Sequence, residues 1–305
     1  QIVRITGEPF ADSSIIPFQH LSRFAREEIT VAISGDGCDE LFAGYTTYIA
    51  DRMHHFLHFI PGPVCRAILK LSQKIFPVTF DKVSFDYKLF RFLEGLNLSP
   101  RDAHCHWRTI FTEEEKGQLL RPEAKDCKGP DADPVTIFRK FFNQVSDLHY
   151  LDQAMYVDIR TWLVDDILVK MDRASMSNSL ETRSPFLDYR LVEFAASLPV
   201  EYKLKGLTGK HLIKVSQIDR LPSTVLKRKK VGFNAPVSHW LSQEFGEQAR
   251  AALFSPKMSE WFRQDAREKL WDDHSRKIKD NSLKIFGLAC LGHWLEALDS
   301  NFKMH

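Results

Sequence analysis

The chain is predicted to be a mostly helical α/β protein, in which the edge of a parallel sheet is buttressed by a large helical cluster. Three observations predict this. The run Ile29 to Ile33 is short and β-branched, as suits a buried parallel strand. A glycine-flanked acidic turn follows it at once, Ser34-Gly35-Asp36-Gly37-Cys38-Asp39-Glu40, and leads into a helix-like stretch from Leu41 to Tyr48. Beyond Tyr48 the apolar residues recur at helical spacing almost everywhere.

Taken in order, residues 10 to 28 read as a helix, because Ile15, Ile16, Leu21, Phe24 and Ala25 recur near a 3.6-residue period. Met53 to Ile60, Val64 to Ile75 and Tyr87 to Leu96 read as helices separated by turns at Pro61-Gly62-Pro63 and Pro77. Gln118 to Asp133 contains Pro122, Gly129 and Pro130 and is expected to be a mobile loop. Long helices are expected at roughly 148 to 175 and 261 to 299. Aromatic residues such as Phe138, Phe141, Phe142, Trp162, Trp240, Trp261, Trp271 and Trp294 are read as core packing. No internal repeat or low-complexity tract is visible.

At 305 residues and 44% hydrophobic content, the chain can bury a substantial core. Its net charge of +2 gives no electrostatic nucleic-acid surface, and Lys227-Arg228-Lys229-Lys230 reads as a solvated loop. Five widely spaced cysteines, none in a Cys-x-x-Cys pair, argue against a disulfide framework and a structural zinc site. A reducing, cytoplasmic location fits that usage. His54 with His58, and His104-Cys105-His106, are read as surface or packing groups because no third ligand stands at a sensible spacing. No run of about 18 apolar residues occurs, so nothing is expected to span a membrane, and with the near-balanced charge neither a membrane nor a nucleic acid is expected as a partner.

The turn at 34 to 40 carries the chemistry. Gly35 and Gly37 let the backbone bend and approach a ligand, and the N–H groups opening the next helix attract an anion. Asp36, Asp39 and Glu40 would repel a polyanion unless Mg²⁺ lay between, so the pattern reads as phosphate plus metal. Farther on, Asp158, Asp165 and Asp172 fall seven residues apart along one helical stripe, and Asp166 is spaced to pair with Lys170. Asp158 is expected on a solvated face.

Several segments together carry a resemblance: Glu8-Pro9-Phe10-Ala11-Asp12-Ser13-Ser14, the turn itself, and Asp165-Asp166-Ile167-Leu168-Val169-Lys170-Met171-Asp172-Arg173-Ala174-Ser175-Met176. Leu180-Glu181-Thr182-Arg183-Ser184-Pro185-Phe186-Leu187-Asp188, Gly209-Lys210 and Arg228-Lys229-Lys230-Val231-Gly232-Phe233 follow in order. With these the chain resembles the synthetase domain of the glutamine-hydrolysing asparagine synthetase family. The resemblance covers nearly the whole chain, dense over 8 to 48 and 150 to 241 and thin over about 52 to 146 and after 242. It implies an adenine nucleotide alpha hydrolase-like fold of the ATP pyrophosphatase type. Family members also carry an N-terminal glutaminase domain and a pyrophosphate loop of the form Ser-Gly-Gly-x-Asp-Ser. Neither occurs here, so the chain is expected to be the C-terminal part of a longer protein and inactive in isolation; Asp12-Ser13-Ser14 is not that loop.

The resemblance implies that aspartate is activated by ATP with Mg²⁺ and converted to asparagine by ammonia from glutamine. Ser34, Gly35 and Gly37 would touch the nucleotide, with Asp166 at the cleft rim. Asp39 would hold Mg²⁺, Lys210 would neutralise the leaving pyrophosphate, and Asp36 would be the catalytic acid that handles the amine's proton. Related β-lactam synthetases carry tyrosine at the position of Asp36, so an acid there favours intermolecular amide formation. Asp172-Arg173 and Glu181 with Arg183 are expected to pair structurally and hold the rim. Cys38, where many relatives have Gly or Ser, is read as a small-residue substitution. The implied partners are aspartate or a related carboxylate, glutamine-derived ammonia, the missing N-terminal half and, as an option, a second copy in a homodimer. Two other readings stand beside this one: a family amidotransferase acting on a surface-polysaccharide sugar or peptide carboxylate, and a short non-catalytic paralogue serving as a binding subunit.

Overall fold

In a computed structural model, residues 1–76, 78–80, 85–126, 133–228, 232 and 235–302 are described. The strand expected from the β-branched run is β1, Val31–Ile33, which pairs in parallel with β2, Glu181–Arg183, in the register Val31 with Glu181, Ala32 with Thr182 and Ile33 with Arg183. Glu181 N donates to Thr30 O and Ser34 N to Arg183 O, so pairing extends past both ends of β1. β1 is not buried as its composition suggested. Ile33 is 78% exposed and Val31 41%, because among the described residues β2 is its single neighbour. A buried parallel strand needs cover on both faces and both edges.

Around this strand pair the chain is helical. Ile15–Arg26 is the core of the helix expected over 10 to 28, and it packs on Val169–Met176. The stretch expected as one helix from Leu41 to Tyr48 is two: Cys38–Leu41 and Thr46–Leu57. Between them Ala43 takes a left-handed backbone, φ 52°, and Gly44 N donates back to Asp39 O at 2.8 Å, so the chain folds over its own turn. Gly62–Ile75 and Phe85–Gly95 pack on each other close to their expected ranges. Pro77 lies outside the described residues.

The expected loop from Gln118 is only partly a loop. Glu113–Leu119 is a helix closed by a reciprocal cap between Thr112 and Glu115, Leu120 bridges Phe262, and Pro122–Asp126 is helical. Arg121 N to Trp261 O and Arg263 N to Leu119 O stitch this segment to the C-terminal helices. Gly129 and Pro130 lie outside the described residues.

The long helix expected at 148 to 175 is continuous, Tyr150–Asp158 running into Val169–Met176 through the π-helical stretch Ile159–Leu168. That stretch holds Asp165 and Asp166, and wide helical turns of this kind are rare and concentrate at functional sites. The helix expected at 261 to 299 is broken into Gln264–Ser275 and Ser282–Phe302. Lys277 is left-handed, φ 55°, Asp280 Oδ1 accepts from Ser282 N, and Asn281 donates to Leu270 O at 3.1 Å. The Asp280-Asn281-Ser282 run offered that capping chemistry, and it outweighed the apolar period. Ser282–Phe302 anchors an apolar core with Val237, Leu241, Ala249, Ala252, Ile285 and Phe286.

Candidate active site

The turn from Ser34 to Glu40 sits at the carboxyl end of β1, where open α/β sheets bind ligands. Ser34 Oγ lies 2.7 Å from Ser184 Oγ and donates to Met171 Sδ at 3.3 Å, which ties the turn to the residue after β2 and to the long helix. A Cβ at Gly35 would meet nothing within 4 Å, so its backbone faces open space. Gly37 is left-handed, φ 85°, and a Cβ there would overlap the Leu187 side chain. Only glycine satisfies both demands. Asp36 is half-buried and makes no side-chain hydrogen bond or ion pair with a described residue. Cys38 opens the four-residue helix and is buried.

Asp39 and Lys210 meet. Lys210 Nζ stands 3.0 Å from Asp39 Oδ1, although 171 positions separate them in sequence on a count from 39 to 210. The hairpin Leu204–Lys205 with Thr208–Gly209 brings Lys210 in, and its N–H donates to Phe42 O at 2.8 Å. Lys210 is itself left-handed, φ 56°, at the start of the helix His211–Ser216. Burial favours the neutral amine, yet the Asp39 carboxylate and the Cys38 sulfur hold Lys210 charged and above the usual lysine value. Gly44 makes the approach possible, since a Cβ there would overlap both Asp39 Oδ1 and Lys210 Cε.

Asp166 is displaced from its expected partner. Lys170 does not pair with it; Lys170 Nζ donates to Asp12 Oδ2 at 2.6 Å and to Ser14 Oγ at 2.8 Å. Along a π-helical segment the four-residue spacing no longer stacks side chains as it does in an α-helix, and the Asp12-Ser13-Ser14 turn supplies a better-satisfied partner. Asp166 Oδ2 is left buried without a hydrogen bond. Burial, and secondarily the Asp12 carboxylate, push its pKa up to about 7, against the pull of Lys170 and Arg108. A carboxyl so placed exchanges a proton near neutrality.

Behind the turn lies a charge network that sequence reasoning missed. Glu40 is almost fully buried and accepts a hydrogen bond from Tyr45 Oη at 2.6 Å. Burial raises the pKa of Glu40, and burial with the Glu40 charge raises that of Tyr45. The Arg108 guanidinium lies 4.7 Å from the Tyr45 ring centre and 4.8 Å from that of Trp162. Arg108 Nε donates to Asp158 Oδ1 at 2.9 Å, and Arg108 Nη2 also bonds Asp158. His104 bridges Asp158 at 3.1 Å and Asp51 at 2.9 Å. Asp158, expected on a solvated face, is instead fully buried between two cations. Periodicity could not reveal this, because Arg108 and His104 come from the separate helix Pro100–Arg108.

Of the two expected rim pairs, one forms and one does not. Glu181 and Arg183 pair at 2.7 Å, but both are exposed, so the pair adds little. Arg173 reaches Glu8 at 3.7 Å and not its neighbour Asp172. Lys227 and Arg228 are exposed, while Lys229, Lys230, Val231 and Phe233 lie outside the described residues. His54 is a packing residue, bonded to Leu98 O and stacked near His58.

The structure thus gathers Ser34, Gly35, Asp36, Gly37 and Asp39 on one turn and adds Lys210. Asp166 stands apart from that group, with Asp12, Lys170, Arg108 and Glu40 as its charged neighbours. No cluster of three or more His, Cys, Asp or Glu side chains suited to a metal ion occurs among the described residues. Mg²⁺ is commonly held by one or two carboxylates plus substrate phosphates, and Asp39 beside an open glycine backbone fits that mode.

Comparison with known proteins identifies the family. The sequence pattern of the family described as asparagine synthase matches residues 1–296. Asparagine synthetase [glutamine-hydrolyzing] 1 of Bacillus subtilis is 32% identical over 96% of this chain and 44% of its own length. Asparagine synthetase [glutamine-hydrolyzing] 3 of the same organism is 37% identical over a shorter stretch, 26% of this chain and 12% of its own. Amidase chyE of Penicillium rubens is 28% identical over 59% of this chain and 27% of its own. The chain therefore spans less than half the length of each curated relative named here. A match over 296 of 305 residues shows that this chain belongs to the asparagine synthase family.

Proposed function

We propose that the protein containing this chain is an ATP-dependent amide-forming ligase that converts aspartate to asparagine. The observation that carries this reading is the Asp39–Lys210 pair at an open glycine turn on the carboxyl end of β1. In the proposed reaction the β-carboxylate oxygen of aspartate attacks the α-phosphorus of ATP and pyrophosphate leaves. Ammonia derived from glutamine then attacks the acyl carbon of the β-aspartyl-AMP, AMP leaves, and the nitrogen sheds a proton.

Each residue has a task in that sequence. The open backbone at Gly35, with the Ser34 hydroxyl, receives the nucleotide, and Gly37 holds the turn in the shape that lets it do so. Lys210, kept charged by Asp39, opposes the growing charge on the leaving pyrophosphate. Asp36, with no side-chain partner of its own among the described residues, takes the proton from the attacking nitrogen. Asp166, placed at the cleft rim by the family resemblance, is a carboxyl whose pKa burial pushes up to about 7. Mg²⁺, when bound by Asp39 together with an upstream aspartate, would shield the phosphate charges.

The similarity to proteins named amidases favours one alternative within the fold, a different carboxylate acceptor. The deciding experiment is pyrophosphate release from ATP and Mg²⁺ with aspartate and ammonia, comparing the full-length protein with residues 1–305. Aspartate-dependent release by the full-length protein alone is the expected result. Release that ignores aspartate but responds to another carboxylate would refute the asparagine-forming assignment.

A further inference from the structure

A basic, apolar ridge outside the candidate active site carries an inference of its own. Helix Gly62–Ile75 touches the body of the molecule mainly through Cys65, Leu69 and Ser72, against Phe85–Gly95. Its outer side presents Val64, Ile68, Leu71 and Ile75, the last two 58% and 60% exposed, at spacings of four, three and four residues. Phe56, near the end of the preceding helix, and Phe59, just after it, are also 60% and 74% exposed in the stretch that leads into this helix. So many large apolar side chains facing water within one short segment mark an interaction surface.

Charge identifies what the ridge meets. From Arg52 to Phe76 there is no Asp or Glu, while Arg66, Lys70 and Lys74 stand exposed on the helix itself. The acids on the supporting helix are engaged inward: Asp86 is buried and bonded to Thr79, and Glu94 pairs with Arg91 and His106. A second copy packed ridge to ridge would set these cations against their own kind. The helix turns a row of apolar side chains to solvent, which suits a soft planar surface. An apolar face flanked by lysines and arginines is the pattern of a helix that lies in the plane of a lipid headgroup layer.

We propose that the Phe56 to Ile75 ridge adsorbs the protein to anionic lipid surfaces. The absence of a helix long and apolar enough to cross a membrane among the described residues excludes none of this, since adsorption needs no crossing.

The test is sedimentation of the full-length protein with vesicles of phosphatidylglycerol and, separately, of phosphatidylcholine. Binding to phosphatidylglycerol at least about tenfold tighter than to phosphatidylcholine, and weakened by salt, is expected. Two solvent-facing double variants, Leu71→Ser with Ile75→Ser and Lys70→Gln with Lys74→Gln, should each weaken it by about tenfold or more. Both should leave pyrophosphate release unchanged. No binding, equal binding to the two lipids, or binding that either variant leaves intact would overturn the proposal. So would a wild-type dimer in sedimentation velocity that Leu71→Ser dissolves, which would assign the ridge to a second copy.

Discussion

His104 offers the sharpest test of how the interior is held together. Its ring lies fully buried between Asp51 and Asp158, and those carboxylates outweigh burial to lift its pKa from 6.5 to about 9. The folded protein therefore holds the imidazolium more tightly than the unfolded chain does. The resulting stabilisation is whole below pH 6.5, declines as pH rises through the window between 6.5 and about 9, and is gone above it. A shift of that size corresponds to about 3 kcal/mol. Cys105, the adjacent thiol, is pushed by burial up to about 12 and does not titrate in this window. His104→Gln should cost about 3–5 kcal/mol at low pH, where it removes the compensating cation from two buried acids. The gap between wild type and variant should then narrow by about 3 kcal/mol by pH ~9. Urea unfolding of the full-length protein, followed by tryptophan fluorescence at several pH values, measures both. Trp162, stacked near Arg108, reports from within the network. A gap that stays constant from pH ~6 to ~9 would show that His104 is not charged in the fold and would refute the buried ion triad.

Three further outcomes are expected. Asp36→Asn in the full-length protein should lower amide formation by more than about tenfold while ATP still binds, and unchanged turnover would remove Asp36 from the mechanism. Gly44→Ala should push Asp39 and Lys210 apart and reduce pyrophosphate release by about tenfold or more; wild-type rates would mean that the pair is not needed. Asp166→Asn should stabilise the protein by a few kcal/mol above pH ~7, where the buried carboxyl is otherwise forced to ionise, and the gain should vanish below pH ~4. Denaturation midpoints at pH ~5 and ~8 check the sign, and equal midpoints for variant and wild type at the higher pH would contradict it.

How much of this was legible in advance follows a physical pattern. Ser34 to Glu40 could be read because its glycines and acids are local: the left-handed backbone of Gly37 and the open face of Gly35 are properties of single residues at a strand-to-helix turn. Lys210 was found through family resemblance, and the left-handed backbone that aims it had no signal in its neighbours. Helix boundaries went wrong where side-chain hydrogen bonding competed with apolar period, as at Asp280-Asn281-Ser282, and where the chain turned sharply at Ala43 and Gly44. Arg121 is one more case, because its backbone partner is Trp261 and no local pattern predicts that pairing.

By itself the sequence determined the family, the helical character, one parallel strand and the turn that follows it, since each depends on residue type and near-neighbour spacing. Tertiary structure alone decided which charges are buried and with whom. Asp158 and Asp172 share a helical stripe, yet one is sealed between Arg108 and His104 and the other is exposed. Asp166 lost Lys170 to Asp12 across 158 residues. The reason is that a charge's free energy depends on its distance to other charges and to water in three dimensions, and neither distance is encoded in its position along the chain.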